Sequence, residues 1–570
     1  MSASNPTPVD NPPGSQLFDP GPHALGWRGA ALIVAFGASM LLIGLGGRRV
    51  LTFHEAVFAE PAKEMLAIGD WIVPRIAGVP YLDKPPGNAW AIAAAMRLFG
   101  SESEFVVRLP SVLAALVAAL ASALLAARWF GRTYGLLTGL LQLSSVHVLL
   151  QARLAESDTL LCAGVTIAMS VFGLAVVAGP RPRLEARWAP WLFYAALAFS
   201  ALAKAGIGVA FVMLACLTYC ALARDRRAVR FLIDPIGLAI FLAPTIGWLA
   251  WAMHRCPEVR DAMLLHHFGR FAGKQGHHEP ALAYLYLVPM MLLPWSPLVG
   301  LGLSKVLREK GAGDPRWRFL ACWFVPGMCL LAFSAYKSRH YPIPLLTPLT
   351  ILATIGLVQY LTLRYRARRP RLGMLAVLTV SAAIAAVVMI EQTRIQFHDA
   401  VAGLVAMIAV GLLIAIYCEA RKRVVWQIGA MLATVWCVGV GVQLWLIPGH
   451  DSYRHQAELA ARINRAMPPG KTLYMLNLPE NQITYYLQPP LRRIDTPSYF
   501  TEEVERQPHN EYFVLAPIHV AEMLHQRGEA HVLRVATEIN SRYMTERDRL
   551  TFFVWKPAAL AAQSSQPVAR

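Results

Sequence analysis

"PPGNAWAIAAAMRLFG", residues 85 to 100, decides how the chain is threaded. The run is apolar but shorter than the roughly 20 residues a helix needs to cross the hydrocarbon core of a bilayer. It reads as a helix lying along a membrane surface or packed under a loop. Longer hydrophobic runs fall near 25–46, 107–127, 133–152, 159–179, 188–203, 206–222, 231–253, 281–303, 319–335, 342–361, 372–391, 400–418 and 424–447, which makes thirteen spans. With the N-terminus in the cytoplasm, the loops on that side are "ARWFGRTYG", "PRPRLEARW", "RDRRAVR", "SKVLREKGAGDPRWR", "RYRARRPR" and "EARKRV". Together they hold 22 Lys and Arg against 5 acids, the cytoplasmic excess of the positive-inside rule. Arg48 and Arg49 fall on the other side, two exceptions to a consistent pattern. A fourteenth span at 85–100 would move every later loop across the membrane and destroy it.

Composition agrees with this threading. The chain has 570 residues, of which 56% are hydrophobic and 15% charged, with a mean hydropathy of +0.43; this excludes an ordinary soluble domain. A net charge of +18 would suit nucleic acid, but the basic residues are dispersed among short loops. Runs such as 364–371 read as topology signals and anionic-lipid contacts, with no nucleic-acid partner. The eight cysteines, Cys162, Cys216, Cys220, Cys256, Cys322, Cys329, Cys418 and Cys437, lie in or beside apolar runs with no CxxC. They read as small core hydrophobes. Residues 1–24, rich in Pro, Asn, Gly and Ser and without Lys or Arg, read as a disordered cytoplasmic tail.

Beyond about 448 the apolar runs shorten and charge rises. "TLYMLN", "YFVLAP", "HVLRVATEI" and "TFFVWK" read as strands, with helical "NQITYYL" and "HVAEMLHQ" between them. The expected organisation is the tail 1–24, a membrane domain 25–447 with a first external loop over 47–106, and a small external α/β domain over 448–570.

On this threading the unusual polar residues collect on the external side. The loops there are "LTFHEAVFAEPAKEML" (51–66), "DKPPGNAW" (83–90), "RLAESD" (153–158), the turn at Lys204, "HRCPEVRDAMLLHHFGRFAGKQGHHEP" (254–280) and "YKSRHYP" (336–342). Ionisable groups at membrane level are costly and are a functional hypothesis by default. The set mixes carboxylates (Glu55, Glu60, Asp83, Asp158), cations (Lys84, Arg153, Lys204, Arg270, Lys337, Arg339) and imidazoles (His54, His277, His278, His340). Cations suit a phosphate leaving group, while a carboxylate or neutral imidazole can orient or deprotonate an acceptor. The sequence has no GxxxxGK[ST] and no GxGxxG after a strand. A group transfer here would draw on a donor dissolved in the membrane.

Several stretches resemble the GT-C glycosyltransferases that use polyprenyl-phosphate sugars, in the branch of the bacterial aminoarabinose transferases and protein O-mannosyltransferase relatives. They are "FAEPAKEML", "DWIVPRIAGVPYLDKPPGNAW", "VVRLPSVLAAL", "ARLAESDTLL", "LAKAGIGV", "GRFAGKQGHHEP" and "SRHYPIPLLTPL". The likeness covers most of the membrane part and is weaker in the C-terminal region. It implies a GT-C-like all-α polytopic membrane bundle with a small C-terminal periplasmic α/β domain. It also implies a bacterial inner-membrane location and an inverting transfer of sugar from a polyprenyl-phosphate donor to an envelope lipid, glycan or protein. In that family the first loop reads Asp-Glu with the Asp as acid or base; here the pair is His54-Glu55. The family's Glu-Lys before the double Pro is Asp83-Lys84, and its Lys-Gly is Lys204-Ala205. The resemblance makes His54, Glu55 and Asp158 the catalytic candidates. Lys84, Lys204, Arg270, Lys337 and Arg339 are the candidates for holding the donor phosphate.

Plainer readings stand beside these. His54 could cap a short helix, and Glu55 and Asp158 could be ion-paired to Arg153 or Lys84 for structure alone. Glu60, Lys63 and Glu64 have the spacing of solvated i,i+4 pairs. Asp83, His277 and His278 offer donors suited to a divalent cation, although adjacent histidines lack the one-face spacing of a metal motif. A lipid-linked glycan transporter or flippase would share the cations, but transporters place charges near the midplane, and here the centres of the spans are nearly free of them. A degenerate binder of lipid-linked sugar is the third reading.

Overall fold

The first apolar run folds as α1 (Gly26–Leu42). At its end two buried guanidiniums take over the chain's carbonyls: Arg153 Nη1 donates to Leu41 O at 2.5 Å, and Arg108 Nη1 to Leu45 O at 2.9 Å. The last four carbonyls of a helix have no intrahelical donor, so an end shielded from water needs such partners. The computed structural model describes residues 24–47, 50–177, 186–264, 282–309, 313–334, 337–366, 398–446, 456–478, 483–494, 499–500, 502, 510–526, 530–537 and 549–557. It divides into two units, one of Met1–Leu45 with Arg108–Ile447 and one of Gly46–Val107 with Pro448–Arg570. Helices α2 (Phe53–Ile68) and α3 (Gly87–Phe99) belong to the second.

The first unit is helical. It runs through α4 (Glu104–Phe130), whose residues before Arg108 belong to the second unit, then α5 (Arg132–Leu143), α6 (Val146–Gln151), α7 (Ser157–Val176), α8 (Ala189–Lys204) and α9 (Ile207–Ala223). Next come α10 (Arg226–Leu232), α11 (Pro235–Arg255), α12 (Glu258–Leu264), α13 (Ala283–Met291) and α14 (Ser296–Arg308). It closes with α15 (Pro315–Phe333), α16 (Thr347–Arg366), α17 (His398–Ala420) and α18 (Val424–Gly441). Among the described residues six helices are long and apolar enough to cross a membrane, or seven if the bent pair α13 and α14 forms one span. Helices α1, α8, α9 and the apolar part of α16 are shorter, and the expected span at 372–391 lies outside the described residues. The core is an aromatic cluster of Phe172, Phe193, Tyr219, Phe231 and Phe319, and Phe172 stacks on Phe319 at 5.9 Å between ring centroids. Large apolar side chains such as Leu242, Ile246 and Trp251 of α11 stay exposed, as expected of surface that meets lipid.

Two expected spans are broken. The run at 133–152 splits into α5 and α6 at Ser144–Ser145, and the run at 281–303 bends by 101° between α13 and α14. The two breaks satisfy each other: Val146 N–H donates to Leu293 O at 3.0 Å, His147 Nδ1 lies 3.0 Å from Met291 O, and Trp295 Nε1–H donates to Ser144 Oγ at 3.0 Å. Irregular backbone in a membrane protein persists where protein groups replace the missing helix bonds.

In the second unit the stretch at 85–100 is the 13-residue α3, about 20 Å long, which packs on α2. A short hairpin of β1 (Arg75–Ile76) and β2 (Val79–Pro80) follows α2. The C-terminal region adds α19 (Gln456–Ala466), β3 (Leu473–Leu476), β4 (Leu491–Ile494), β5 (Tyr512–Pro517), α20 (Ile518–Gln526), β6 (Ala530–Thr537) and β7 (Leu550–Pro557). The strands form one mixed sheet in the order β4-β3-β5-β7-β6, parallel among β4, β3 and β5 and antiparallel at β7 and β6. Central β5 is buried along its whole length. Phe513 and Leu515 face a core shared with Leu459 and Ile463 of α19, while Tyr512, Val514 and Ala516 face one shared with Val520 and Leu524 of α20. This period-two division is that of a strand covered on both faces. Ala77, at the tip of the β1–β2 hairpin, lies in the α19 core. Residues 47–106, read from the sequence as a loop of the membrane domain, therefore share a compact unit with the C-terminal sheet.

Candidate active site

In the first unit the polar residues gather where α7 begins and α8 ends. Asp158 lies in the first turn of α7 and Lys204 is the last residue of α8. Small residues bring the helices together here: a Cβ on Gly164 of α7 would sit 2.7 Å from Ala196 O of α8, and one on Gly208 of α9 would strike Ser200 Oγ of α8. Lys204 Nζ thereby meets Asp158 Oδ1 at 2.5 Å, both side chains being largely buried. Each charge also suits its helix end, an anion at an N-terminus and a cation at a C-terminus.

The third contributor is the turn between α15 and α16. Its 3₁₀ segment Ile343–Leu345 is held by Trp323, whose Nε1–H donates to Pro344 O at 3.2 Å, and by Cys162 of α7, whose Sγ lies 3.9 Å from Ile343 O. This anchoring sets His340 Nε2 3.8 Å from Asp158 Oδ2 and Lys204 Nζ over the Tyr341 ring at 5.3 Å. Ser338 Oγ lies 3.1 Å from His340 Nδ1. An ammonium and an imidazole thus flank one carboxylate, and an aromatic face lies against the ammonium.

Backbone strain lies beside the cation. Ala205 has φ 58° and ψ −150°, close to a region that only glycine enters without cost, which accounts physically for a glycine after the lysine in the resembling family. Ala205→Gly is expected to raise stability by about 1 kcal/mol, the relief of strain exceeding the added chain entropy of glycine. Denaturation of both proteins in one detergent checks the sign.

The remaining candidates divide. Arg153 serves α1 through the carbonyls of Met40 and Leu41, and Asp158 takes Lys204. Lys337 is buried and donates to Ser334 O at 2.6 Å, at the end of α15, and Arg339 is exposed. Arg270, His277 and His278 lie outside the described residues. Tyr341 carried no role in the sequence reading; its only signal was an aromatic next to a histidine in "SRHYP".

In the second unit Thr52, and not His54, caps α2. Glu55 N–H donates to Thr52 Oγ1 at 3.1 Å and Thr52 N–H to Glu55 Oε2 at 2.9 Å, a reciprocal capping box. Glu55 is fully buried, so one of its oxygens has a structural duty. His54 is exposed beside it, its ring edge-on to Phe53 at 5.4 Å. Asp83 pairs with Lys84 and accepts from Tyr81 OH at 3.3 Å. Among the described residues no three His, Cys, Asp or Glu could hold a metal ion, and the Asp83 carboxylate is engaged with the lysine. Glu60 and Lys63, which looked solvated, are enclosed: Glu60 is 3% exposed, and Lys63 Nζ donates to Tyr485 O at 3.0 Å and Leu487 O at 3.2 Å. Contacts from the C-terminal region cover the face of α2 that its charge spacing suggested was wet.

Comparison with known proteins adds the family context. A model of the dolichyl-phosphate-mannose-protein mannosyltransferase family matches residues 83–251, a segment that holds Lys84, Asp158 and Lys204. The solved structure of ArnT from Cupriavidus metallidurans bound to undecaprenyl phosphate superposes with a TM-score of 0.73 at 21% identity, covering 93% of this chain and 98% of that one. In fold the chain is ArnT-like. In sequence it is similar to bacterial aminoarabinose transferases. The undecaprenyl phosphate-alpha-4-amino-4-deoxy-L-arabinose arabinosyl transferase of Pseudomonas paraeruginosa is 30% identical over 339 residues, 58% of this chain and 59% of that protein. Its counterpart in Yersinia enterocolitica is 28% identical over 330 residues, 57% and 58% of the two chains. The match thus spans about three-fifths of the length of these relatives.

Proposed function

We propose that this chain is a glycosyltransferase of the bacterial inner membrane that moves a sugar from a polyprenyl-phosphate carrier to an envelope acceptor on the periplasmic face, with inversion. The observation that carries this reading is the Asp158–Lys204–His340 cluster beside Tyr341 at the ends of apolar helices. The names of the relatives make undecaprenyl phosphate the first carrier and 4-amino-4-deoxy-L-arabinose the first sugar to test. Thirteen spans, a cytoplasmic N-terminus and a periplasmic C-terminal region complete the proposed topology.

In the reaction an acceptor oxygen attacks the anomeric carbon as the bond from that carbon to the carrier phosphate breaks, and the polyprenyl phosphate leaves with the electron pair. Lys204 neutralises charge gathering on the leaving phosphate. Asp158 holds the ammonium in place and the Tyr341 ring limits where it can move. Lys84 is assigned a second phosphate contact, and His54 or Asp158 the acceptor proton. A phosphate acceptor would arrive ionised, and His54 would then only orient it. Lys337, engaged at the end of α15, and Arg339 are weaker candidates for the phosphate than Lys204.

The paired helix breaks favour a second reading, since transporters bind their cargo at discontinuous helices. The groups that bridge these breaks, Ser144, His147 and Trp295, carry no permanent charge, whereas the charged cluster lies at helix ends.

Mass spectrometry of envelope lipids, glycoproteins and polyprenyl-phosphate sugars from cells with the gene, without it, and with Asp158→Asn tests the proposal. The expected result is an acceptor that lacks one sugar in both altered strains while the lipid-linked donor accumulates. Unchanged glycans with donor exposed on only one face of the membrane would establish transport instead.

A further inference from the structure

The 3₁₀ segment at Thr484–Tyr486 lies in the "NQITYYL" stretch, to which the proposed reaction gives no task. Its tyrosine hydroxyls and carbonyls reach the two ends and the first helix of the 46–107 segment. Tyr486 OH accepts the Leu51 N–H at 2.8 Å, one residue before the cap of α2, and donates to Glu104 Oε1 at 3.1 Å. The Tyr485 hydroxyl donates to Glu102 O. In return Lys63 of α2 donates to the carbonyls of Tyr485 and Leu487, sits over the Tyr485 ring at 5.5 Å, and approaches Glu102 Oε2 at 3.5 Å. Asn464 of α19 fixes the segment from behind: its Nδ2 donates to Tyr486 O at 2.9 Å and its Oδ1 accepts the Gln488 N–H at 3.0 Å.

We propose that Ile483–Leu487 is a clasp that sets the position of His54 and Glu55, with Tyr486 and Lys63 as positioning residues for glycosyl transfer. The reasoning is geometric. The capping box orients the first turn of α2 only relative to Thr52, so something must fix Thr52 itself. Tyr486 does so through the Leu51 amide, and it ties that point to the start of α4 through Glu104. Lys63, more than two turns along α2, prevents the helix from rotating about its own axis. A sub-ångström shift of a reacting group is enough to lower turnover without altering substrate binding. The C-terminal region is thereby a working part of the enzyme.

The inference rests on the proposed transfer reaction, so its test reads both activity and local structure. Tyr486→Phe keeps the ring and removes only the hydroxyl. In the full-length protein it is expected to lower kcat about tenfold, with the donor KM changed less than about twofold, and to speed hydrogen–deuterium exchange in residues 51–58. Lys63→Met should act in the same direction and Lys63→Arg should restore most of kcat. Faster exchange with wild-type kcat would overturn the positioning role, leaving the clasp as a structural brace. Unchanged exchange would overturn the clasp itself. A wild-type protein inactive on every lipid-linked sugar offered would sink the transfer reading, and the exchange result would still decide whether the clasp holds α2.

Discussion

Lys204→Met is expected to lower both turnover and stability, and adding Asp158→Asn is expected to restore only stability. The single change leaves the Asp158 carboxylate, 6% exposed at its side chain, without its ammonium. Removing one partner of a buried ion pair costs about 3–5 kcal/mol, whereas replacing both by neutral groups is often close to neutral. Asp158→Asn alone should be destabilising for the reciprocal reason. Turnover follows another rule. If the ammonium neutralises a leaving phosphate, its loss costs about 10²–10³-fold in kcat whether or not Asp158 is charged, so the double variant stays inactive. Denaturation midpoints and single-turnover rates of the four proteins separate the two effects. A double variant that regains turnover along with stability would reduce the pair to scaffolding and direct attention to Lys84 and His54.

The outline of the membrane unit was legible because hydropathy is a local property, and the same locality explains what escaped. Ser144–Ser145 and the 292–295 stretch hardly alter the hydropathy of their runs, yet both interrupt helices. Their backbone groups are satisfied across 147 positions of sequence, from Val146 to Leu293, a pairing that no window reveals. Asp158 and Lys204 were each conspicuous as ionisable residues among apolar ones. Their union depends on the close approach of α7 and α8 at Gly164, and glycines in apolar runs carry no obvious partner. The C-terminal strands were readable from alternation, but their association with 46–107 rests on contacts such as that between Leu51 and Tyr486, 435 positions apart. For that reason Glu60, Lys63 and Glu64 looked like the wet face of an amphipathic helix. On α2 the i,i+4 spacing of charges reports only that they are neighbours; burial is decided by what folds over them.

Glu60 is the residue for which that difference has the largest energetic consequence. Burial raises its pKa to about 7, against the opposing pull of Lys63 and with help from the carboxylates of Glu64 and Glu102. Its Oε2 has no hydrogen-bond partner among the described residues. The folded state therefore binds a proton more tightly than the unfolded chain, whose value is near 4.5. The resulting stability is fully present below about pH 4.5 and is lost as pH rises through about 7. At one pKa unit per 1.36 kcal/mol, the full span is about 3 kcal/mol. Glu60→Gln removes the titration while keeping the shape. Relative to wild type, the variant is expected to be more stable by about 2–3 kcal/mol at pH 8 and nearly equal at pH 4.5. Hydrogen exchange of α2, compared between the two proteins at each pH, measures this directly, because intrinsic exchange rates cancel. Parallel pH profiles would mean that Glu60 stays ionised in the fold, with Lys63 outweighing burial. A wild-type profile that steepens between pH 5 and 7 while the variant stays flat would make the helix bearing His54 and Glu55 more firmly held in acid. Activity at pH 8 would then be limited by the order of α2.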